Sequence, residues 1–164
     1  MSEFGPAEFG SATFGGDPSV AGLILDVDAE VTTLARRLLA RKTTDGTAFK
    51  TITFSLGQGG IDPFDYKTAV PVNPDAQSLE LPILLPAKAI TEYEHPNESS
   101  GCTYCVVDPG EANEILSEIG IWAEILWSPY TAEIGAVFLA AIAHFPIVCK
   151  NSSMSYAFRV NVQF

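Results

Sequence analysis

Residues 155–164 read Ser-Tyr-Ala-Phe-Arg-Val-Asn-Val-Gln-Phe. Tyr156, Phe158, Val160, Val162 and Phe164 fall on one side of an extended chain, and Ala157, Arg159, Asn161 and Gln163 on the other. This alternation has the period of a half-buried strand, and no helix places residues that way. The stretch is therefore expected to be tied into a sheet rather than frayed. Two further stretches have strand character: Glu118-Ile119-Gly120-Ile121-Trp122, and Phe138-Leu139-Ala140-Ala141-Ile142-Ala143-His144-Phe145-Pro146. The three are expected to be successive antiparallel strands of one sheet. The expected fold class is α+β: a mainly antiparallel sheet or sandwich with one N-terminal amphipathic helix packed on it.

The remaining chain is read against that sheet. Residues 2–16 repeat at a period of five: Glu3-Phe4-Gly5, Glu8-Phe9-Gly10, Thr13-Phe14-Gly15. So short and glycine-rich a segment cannot bury three phenylalanines by itself. Residues 1–24 are expected to be a flexible arm, and 25–164 a single domain. The arm is either a free tail or a docking element whose Phe4, Phe9 and Phe14 enter pockets on a neighbouring subunit. Residues 26–42 carry the best helix pattern. Asp28 or Asp26 is the expected N-cap, Glu30 sits in the first turn, and Val31, Leu34, Leu38 and Leu39 form an apolar stripe. Arg36, Arg37, Arg41 and Lys42 suit the C-terminal end, and Asp45-Gly46 turns the chain.

Residues 48–56 alternate as a strand and run into Gly57-Gln58-Gly59-Gly60. A phosphate-cradling loop would need a following Gly-Lys-Ser/Thr and a helix, so a tight turn or close backbone contact is the better reading. Five prolines between 61 and 86 exclude a helix; residues 78–85 could form an edge strand. Residues 88–93 and 103–107 flank a polar turn and read as a hairpin. Residues 111–116 fit either a helical turn or the lead-in to the strand at 119–125, which Ser128-Pro129-Tyr130 breaks. Residues 131–145 fit a buried helix by propensity. Gly135, Val137, Ile142 and the Pro146 stop favour a strand from about Ala136.

Composition narrows the function. Apolar residues make up 47% of 164, which supports one globular domain with a sizeable core. Nine basic against 20 acidic groups give a net charge of −11, unsuited to a nucleic-acid backbone. The longest apolar run, 135–148, is interrupted by His144 and Pro146 and too short to insert in a bilayer. No charged-then-apolar leader stands at the N-terminus, so no secretory signal is expected. Three cysteines cannot all pair internally. Cys102 and Cys105 have the spacing of a metal knuckle that Cys149 and His144 could complete. On a strand, though, residues three apart face opposite ways, and ordinary semi-buried thiols are the expectation. No nucleophile elbow, zincin helix or dinucleotide fingerprint occurs. No two carboxylates have a spacing that forces them together, and His144 on an apolar strand is expected to be a core or interface residue with one hydrogen bond. No catalytic residue, cofactor or metal is expected.

Several stretches together resemble the N-terminal domain of phage tail-collar fibre proteins. Residues 51–60, Thr-Ile-Thr-Phe-Ser-Leu-Gly-Gln-Gly-Gly, are similar to that family's apolar strand ending in Gly-Asp-Gly, with Gln58 where the family tends to have aspartate. Residues 118–122 are similar to its Glu-Val-Gly-Leu-Phe. Residues 139–146, with Lys150 after them, are similar to its Leu-x-Ala-x-x-x-Tyr-Pro stretch. The helix pattern and the closing strand fall in the corresponding places, so the resemblance spans about 26–164. A long segment, 123–136 with Trp127 and Tyr130, replaces the family's tight turn, and no fibre shaft is expected after residue 164. The resemblance implies the attachment part alone: a virion structural protein, assembled in the host cytoplasm, that fastens to a contractile-tail baseplate or fibre position and to its own copies as a trimer or hexamer set. Phe4, Phe9, Phe14, Trp127 and Tyr130 are its expected contact residues. A second class is a carbohydrate-binding β-sandwich using Trp122, Trp127 and Tyr130 as an aromatic platform. A third reading, ranked below these, is the equivalent subunit of a non-phage contractile injection device.

Overall fold

The computed structural model describes residues 21–83, 87–90, 92–97 and 100–163. It is an α+β fold with one α-helix among the described residues and a curled eight-stranded sheet. The strands are β1 (Ala21–Val31), β2 (Ala48–Gly57), β5 (Lys88–Ala89), β6 (Glu92–Asn97), β7 (Ser100–Val107), β8 (Ile115–Trp127), β9 (Val137–Cys149) and β10 (Met154–Gln163), in the order β5-β2-β8-β9-β1-β10-β7-β6. A small separate hairpin, β3 (Ile61–Asp62) and β4 (Asp65–Ala69), precedes β5.

The β8–β9 pairing is the expected antiparallel one. The third expected neighbour is not: β10 lies beside β1, in parallel, with Leu25 opposite Phe158 and Val27 opposite Val160. At Glu30 and Val31 the same strand crosses to pair antiparallel with β9. Strand β1 thus joins two halves of the sheet, and their apolar faces meet in one core. Phe54, Leu56, Ile119 and Ile121 come from one half, Cys105, Val107, Phe158 and Val160 from the other. Burying side chains such as Phe158 and Val160 is worth about 1.5–3 kcal/mol each. Phe145 and Phe158, 5.4 Å apart, close the layer between β9 and β10.

The helix α1 (Thr33–Thr44) starts seven residues later than expected. Residues 26–31 are strand, and the N-cap is Thr32 rather than Asp28 or Asp26. The Thr32 hydroxyl accepts from the Ala35 amide and donates to the Leu139 carbonyl, 2.8 Å away. The Asp-Val-Asp-Ala-Glu-Val run alternates charged and apolar residues, so its period-2 signal is genuine. Pairing on both sides outweighs the helix signal there. The expected stripe shifts accordingly: Ala35 and Leu38 are buried, Leu34 is exposed, and Val31 belongs to β1. Because residues 21–24 also lie in β1, the arm cannot extend to 24. Its Phe4, Phe9 and Phe14 lie outside the described residues.

Residues 131–145 resolve as a single turn of 3-10 helix at Thr131–Glu133 followed by β9. Pro146 does not stop that strand, which continues to Cys149. The proline sits inside a bulge of β9, where Phe145, Pro146 and Ile147 stand opposite the single residue Ser117 of β8, so its missing donor breaks no regular rung. The expected hairpin forms only in part: Glu92–Asn97 pair with β7 as β6, but Lys88–Ala89 form β5 and pair with β2 at the other edge of the sheet. Residues 78–83 form no strand: Pro82 makes one bridge to Gly57, and Gln58 and Ile83 each donate one backbone bond across. This segment brings Leu79 onto the outer face of β9, against Leu139, Ile142 and Trp122. That second apolar layer explains why 138–145 reads as continuously apolar rather than alternating.

Candidate functional site

Two regions of the fold carry features beyond packing. The first is the β8–β9 connection. Leu126, Trp127, Tyr130, Ile134 and Val137 are each between 44% and 63% exposed. Five large apolar side chains within twelve residues make a protruding patch of the kind that marks a contact surface. The loop is held rather than loose. The Arg41 guanidinium on α1 grips Glu133 with both terminal nitrogens, at 2.9 and 3.2 Å, reaches Asp45 at 3.0 Å and lies over the Tyr130 ring at 5.4 Å. The Ser128 hydroxyl donates to Glu133 and accepts from the Tyr130 amide. Arg41 and Ser128 hold the Glu133 carboxyl below the usual range. Trp127 packs over Gly46, whose φ of +80° suits the turn after α1. The basic end of α1, read from sequence as a solvated face, thus contributes one residue that braces this loop.

Trp127 and Tyr130 therefore share this exposed stretch with Leu126, Ile134 and Val137, none of which reads as a contact residue from sequence. Trp122 does not join them. It donates to the Ser55 hydroxyl at 2.7 Å and packs with the Leu79 layer. Phe64 and Tyr66 on the β3–β4 hairpin are also strongly exposed. Their only sequence signal is an aromatic either side of Asp65. A cavity of about 550 Å³ opens between α1, β2 and the β6–β7 hairpin, lined among others by Leu38, Leu39, Phe49, Tyr93, Cys102 and Val162.

The second region lies where three of the resembling stretches meet. Glu118 on β8 is fully buried. Its Oε1 accepts from the amides of Gly59 at 3.0 Å and Leu81 at 2.9 Å, and its Oε2 from the amide of Glu80 at 3.3 Å. His144 on β9 lies beside it, its side chain only 2% exposed. Its Nδ1 is 2.9 Å from the Val70 carbonyl, and its Nε2 has no hydrogen-bond partner. That nitrogen stands 3.5 Å from Glu118 Oε2 and 3.7 Å from Glu80 Oε2. Burial pushes the Glu118 carboxyl up, but the imidazole and the three amides outweigh it and hold it low. The Glu118 carboxylate in turn raises His144 against the opposing effect of burial.

The Gly57-Gln58-Gly59-Gly60 segment owes its composition to these two side chains. A Cβ at Gly60 would enter the His144 ring, one at Gly59 would meet Glu80 and Glu118, and one at Gly57 would come within 2.7 Å of the Leu81 carbonyl. Gly60 also has a φ of +75°. The loop is the expected close backbone contact. Among the described residues, Glu80, Glu118 and His144 are the one grouping of three potential metal-ligating side chains. Their separation in sequence, 80 from 118, concealed it; the available signal was a charged Glu118 inside the apolar run of β8.

The cysteine set does not assemble. Cys102 donates to Asn161 on the polar side of β10, Cys105 is in the core with its thiol pushed up to about 12 by burial, and Cys149 is exposed. Compared with protein-family models, curated proteins and solved structures, the chain finds no match.

Proposed function

We propose that the chain is a structural assembly module, acting through protein–protein contacts with its own copies and with neighbouring subunits. Its place is that of an attachment or adaptor subunit in a phage contractile tail, at the baseplate or a fibre position. The observation that carries the assembly reading is the braced loop with Leu126, Trp127, Tyr130, Ile134 and Val137 exposed together. An apolar patch held in one conformation loses little freedom on docking, and Trp and Tyr anchors are the side chains that dominate such interfaces. The tail assignment rests on the order and character of residues 51–60, 118–122 and 139–150, which resemble the tail-collar attachment domain. The convergence of those stretches around Glu118 and His144 gives them a common structural purpose. In this reading the phenylalanines of the arm, Phe4, Phe9 and Phe14, seat on a sister copy, and the apolar cavity beside α1 is a receptacle of suitable size.

The test is the mass of the purified chain by sedimentation, with the double variant Trp127→Ala/Tyr130→Ala beside it. We expect a closed oligomer for the parent. The variant should be monomeric with unchanged circular dichroism, because Trp127 is 49% and Tyr130 63% exposed. In tails assembled in the presence of the variant, the subunit should be missing. A parent that stays monomeric at high concentration, or variant subunits that enter particles normally, would overturn the proposal. The carbohydrate-binding alternative draws no support from the arrangement of Trp122, which faces a different layer from Trp127 and Tyr130.

A further inference from the structure

We infer that Glu80, Glu118 and His144 form a binding site for one divalent first-row transition-metal ion, zinc or an ion of similar preference. Three potential ligand atoms, one from each side chain, lie within 4.8 Å of one another. The distances from His144 Nε2 to the two carboxylate oxygens are 3.5 and 3.7 Å. Two donors each 2.0–2.2 Å from a common ion at a tetrahedral angle stand about 3.4 Å apart. The two His144–carboxylate separations are therefore close to the width of a coordination edge, and the two carboxylate oxygens lie within 4.8 Å of each other.

The state of the imidazole supports this. The Val70 carbonyl can only accept, so His144 Nδ1 carries a proton and donates it. Nε2 is then the atom directed between the two carboxylates, and it is buried with no partner. A second proton there would be expected to draw one oxygen in to about 2.7–2.9 Å as a charge-assisted hydrogen bond. Instead the nitrogen stands off from both. A buried nitrogen facing two carboxylates is satisfied by a cation there, the ion proposed here or a proton. A histidine whose far nitrogen donates to a backbone carbonyl is also the usual form of a metal-bound imidazole, because that bond sets tautomer and ring orientation.

The surrounding chain holds the ligands in place before any ion arrives. Glu118 is fixed by three amide donors while Oε2 keeps a free lone pair. Gly57, Gly59 and Gly60 let the loop backbone close onto Glu118 and His144. Glu80 is the open side: its side chain is 58% exposed, and its Oε1 accepts from the Gly60 amide at 3.3 Å. Two carboxylates and a neutral imidazole carry a charge that a divalent ion cancels. One nitrogen with two oxygens favours zinc, manganese, iron or cobalt over magnesium or calcium, which prefer all-oxygen shells. Three protein ligands leave a position for water or a partner's group on the Glu80 side.

The experiment uses the full chain freed of metal with a chelator and titrated with Co²⁺, then competed with Zn²⁺. Calorimetry and visible absorption are the readouts. We expect one Co²⁺ per chain, ligand-field bands of a four- or five-coordinate ion, and displacement by zinc. Glu80→Gln keeps the Gly60 contact and is largely in solvent, so its metal-free melting should match the parent. Its affinity should fall by about tenfold or more, and His144→Gln should remove the bands. Absence of saturable binding would overturn the site, as would unchanged affinity in Glu80→Gln, which would mean scattered surface carboxylates. Nitrogen NMR showing His144 doubly protonated in excess zinc would replace the ion with a proton. None of these outcomes depends on oligomeric state, so the site and the assembly role stand or fall separately.

Discussion

At the residue scale, the glycines divide into those that make room and those that only bend. Gly60 and Gly135 both have positive φ, +75° and +88°. At Gly60 an added methyl would collide with the His144 ring, whereas Gly135 has open space. Gly60→Ala should therefore cost about 2–5 kcal/mol from backbone strain and overpacking together. Gly135→Ala should cost only about 1–2 kcal/mol for the left-handed conformation. Urea unfolding of the two variants measures the difference, and equal losses would mean that the loop can move away from His144. The glycine run was legible in the sequence as a close approach; its partners were not, since nothing at positions 57–60 points to residues 118 or 144.

At the scale of elements, β1 and α1 meet at Thr32. This residue is 1% exposed and caps the helix. It also ties the helix start to β9 through its own amide to the Ala140 carbonyl and its hydroxyl to the Leu139 carbonyl. Thr32→Ala should destabilise by about 1–3 kcal/mol, the sum of a lost cap and a carbonyl left without its donor. Asp28→Ala should stay within about 0.5 kcal/mol, because Asp28 is a surface residue whose carboxylate accepts a long 3.3 Å bond from Asn161. Thermal melting of the pair decides which residue opens the helix. The sequence contained both signals, a helix pattern and a charged–apolar alternation, over residues 26–31. Their balance was set by β9 and β10 on either side, more than a hundred residues away.

At the scale of the whole molecule, acid stability follows from groups spread over the surface. Arg41 and Ser128 lower Glu133; Thr47 lowers Asp45, with Arg41 helping; and Thr68 lowers Asp65. Each binds a proton more weakly folded than unfolded. Their contribution is complete above the unfolded values, 3.8 for aspartate and 4.5 for glutamate, and is lost as pH falls through the lower folded values. Because Glu118 raises His144, protonating that imidazole favours the fold, so the melting temperature should rise modestly as pH falls from about 8 to 6, then drop below about pH 4.5. The double variant Asp45→Asn/Glu133→Gln should flatten that drop. The net charge of −11 acts in the opposite sense, since protonation relieves repulsion. A melting temperature that rises steadily towards pH 3 would show repulsion to be the larger effect.

By itself the sequence determined the class of fold, the strand character of residues 118–122, 138–145 and 155–163, and the exposure of Trp127 and Tyr130. Each follows from a local period or from aromatic residues among turn formers, which neighbours in the chain are enough to set. Only the tertiary structure decided that β1 stands between β9 and β10, that Pro146 lies inside a strand, and that Glu80, Glu118 and His144 share one pocket. Those depend on which distant strands hydrogen-bond and where a bulge falls. Periodicity records the face a residue takes but not the partner it meets across the sheet.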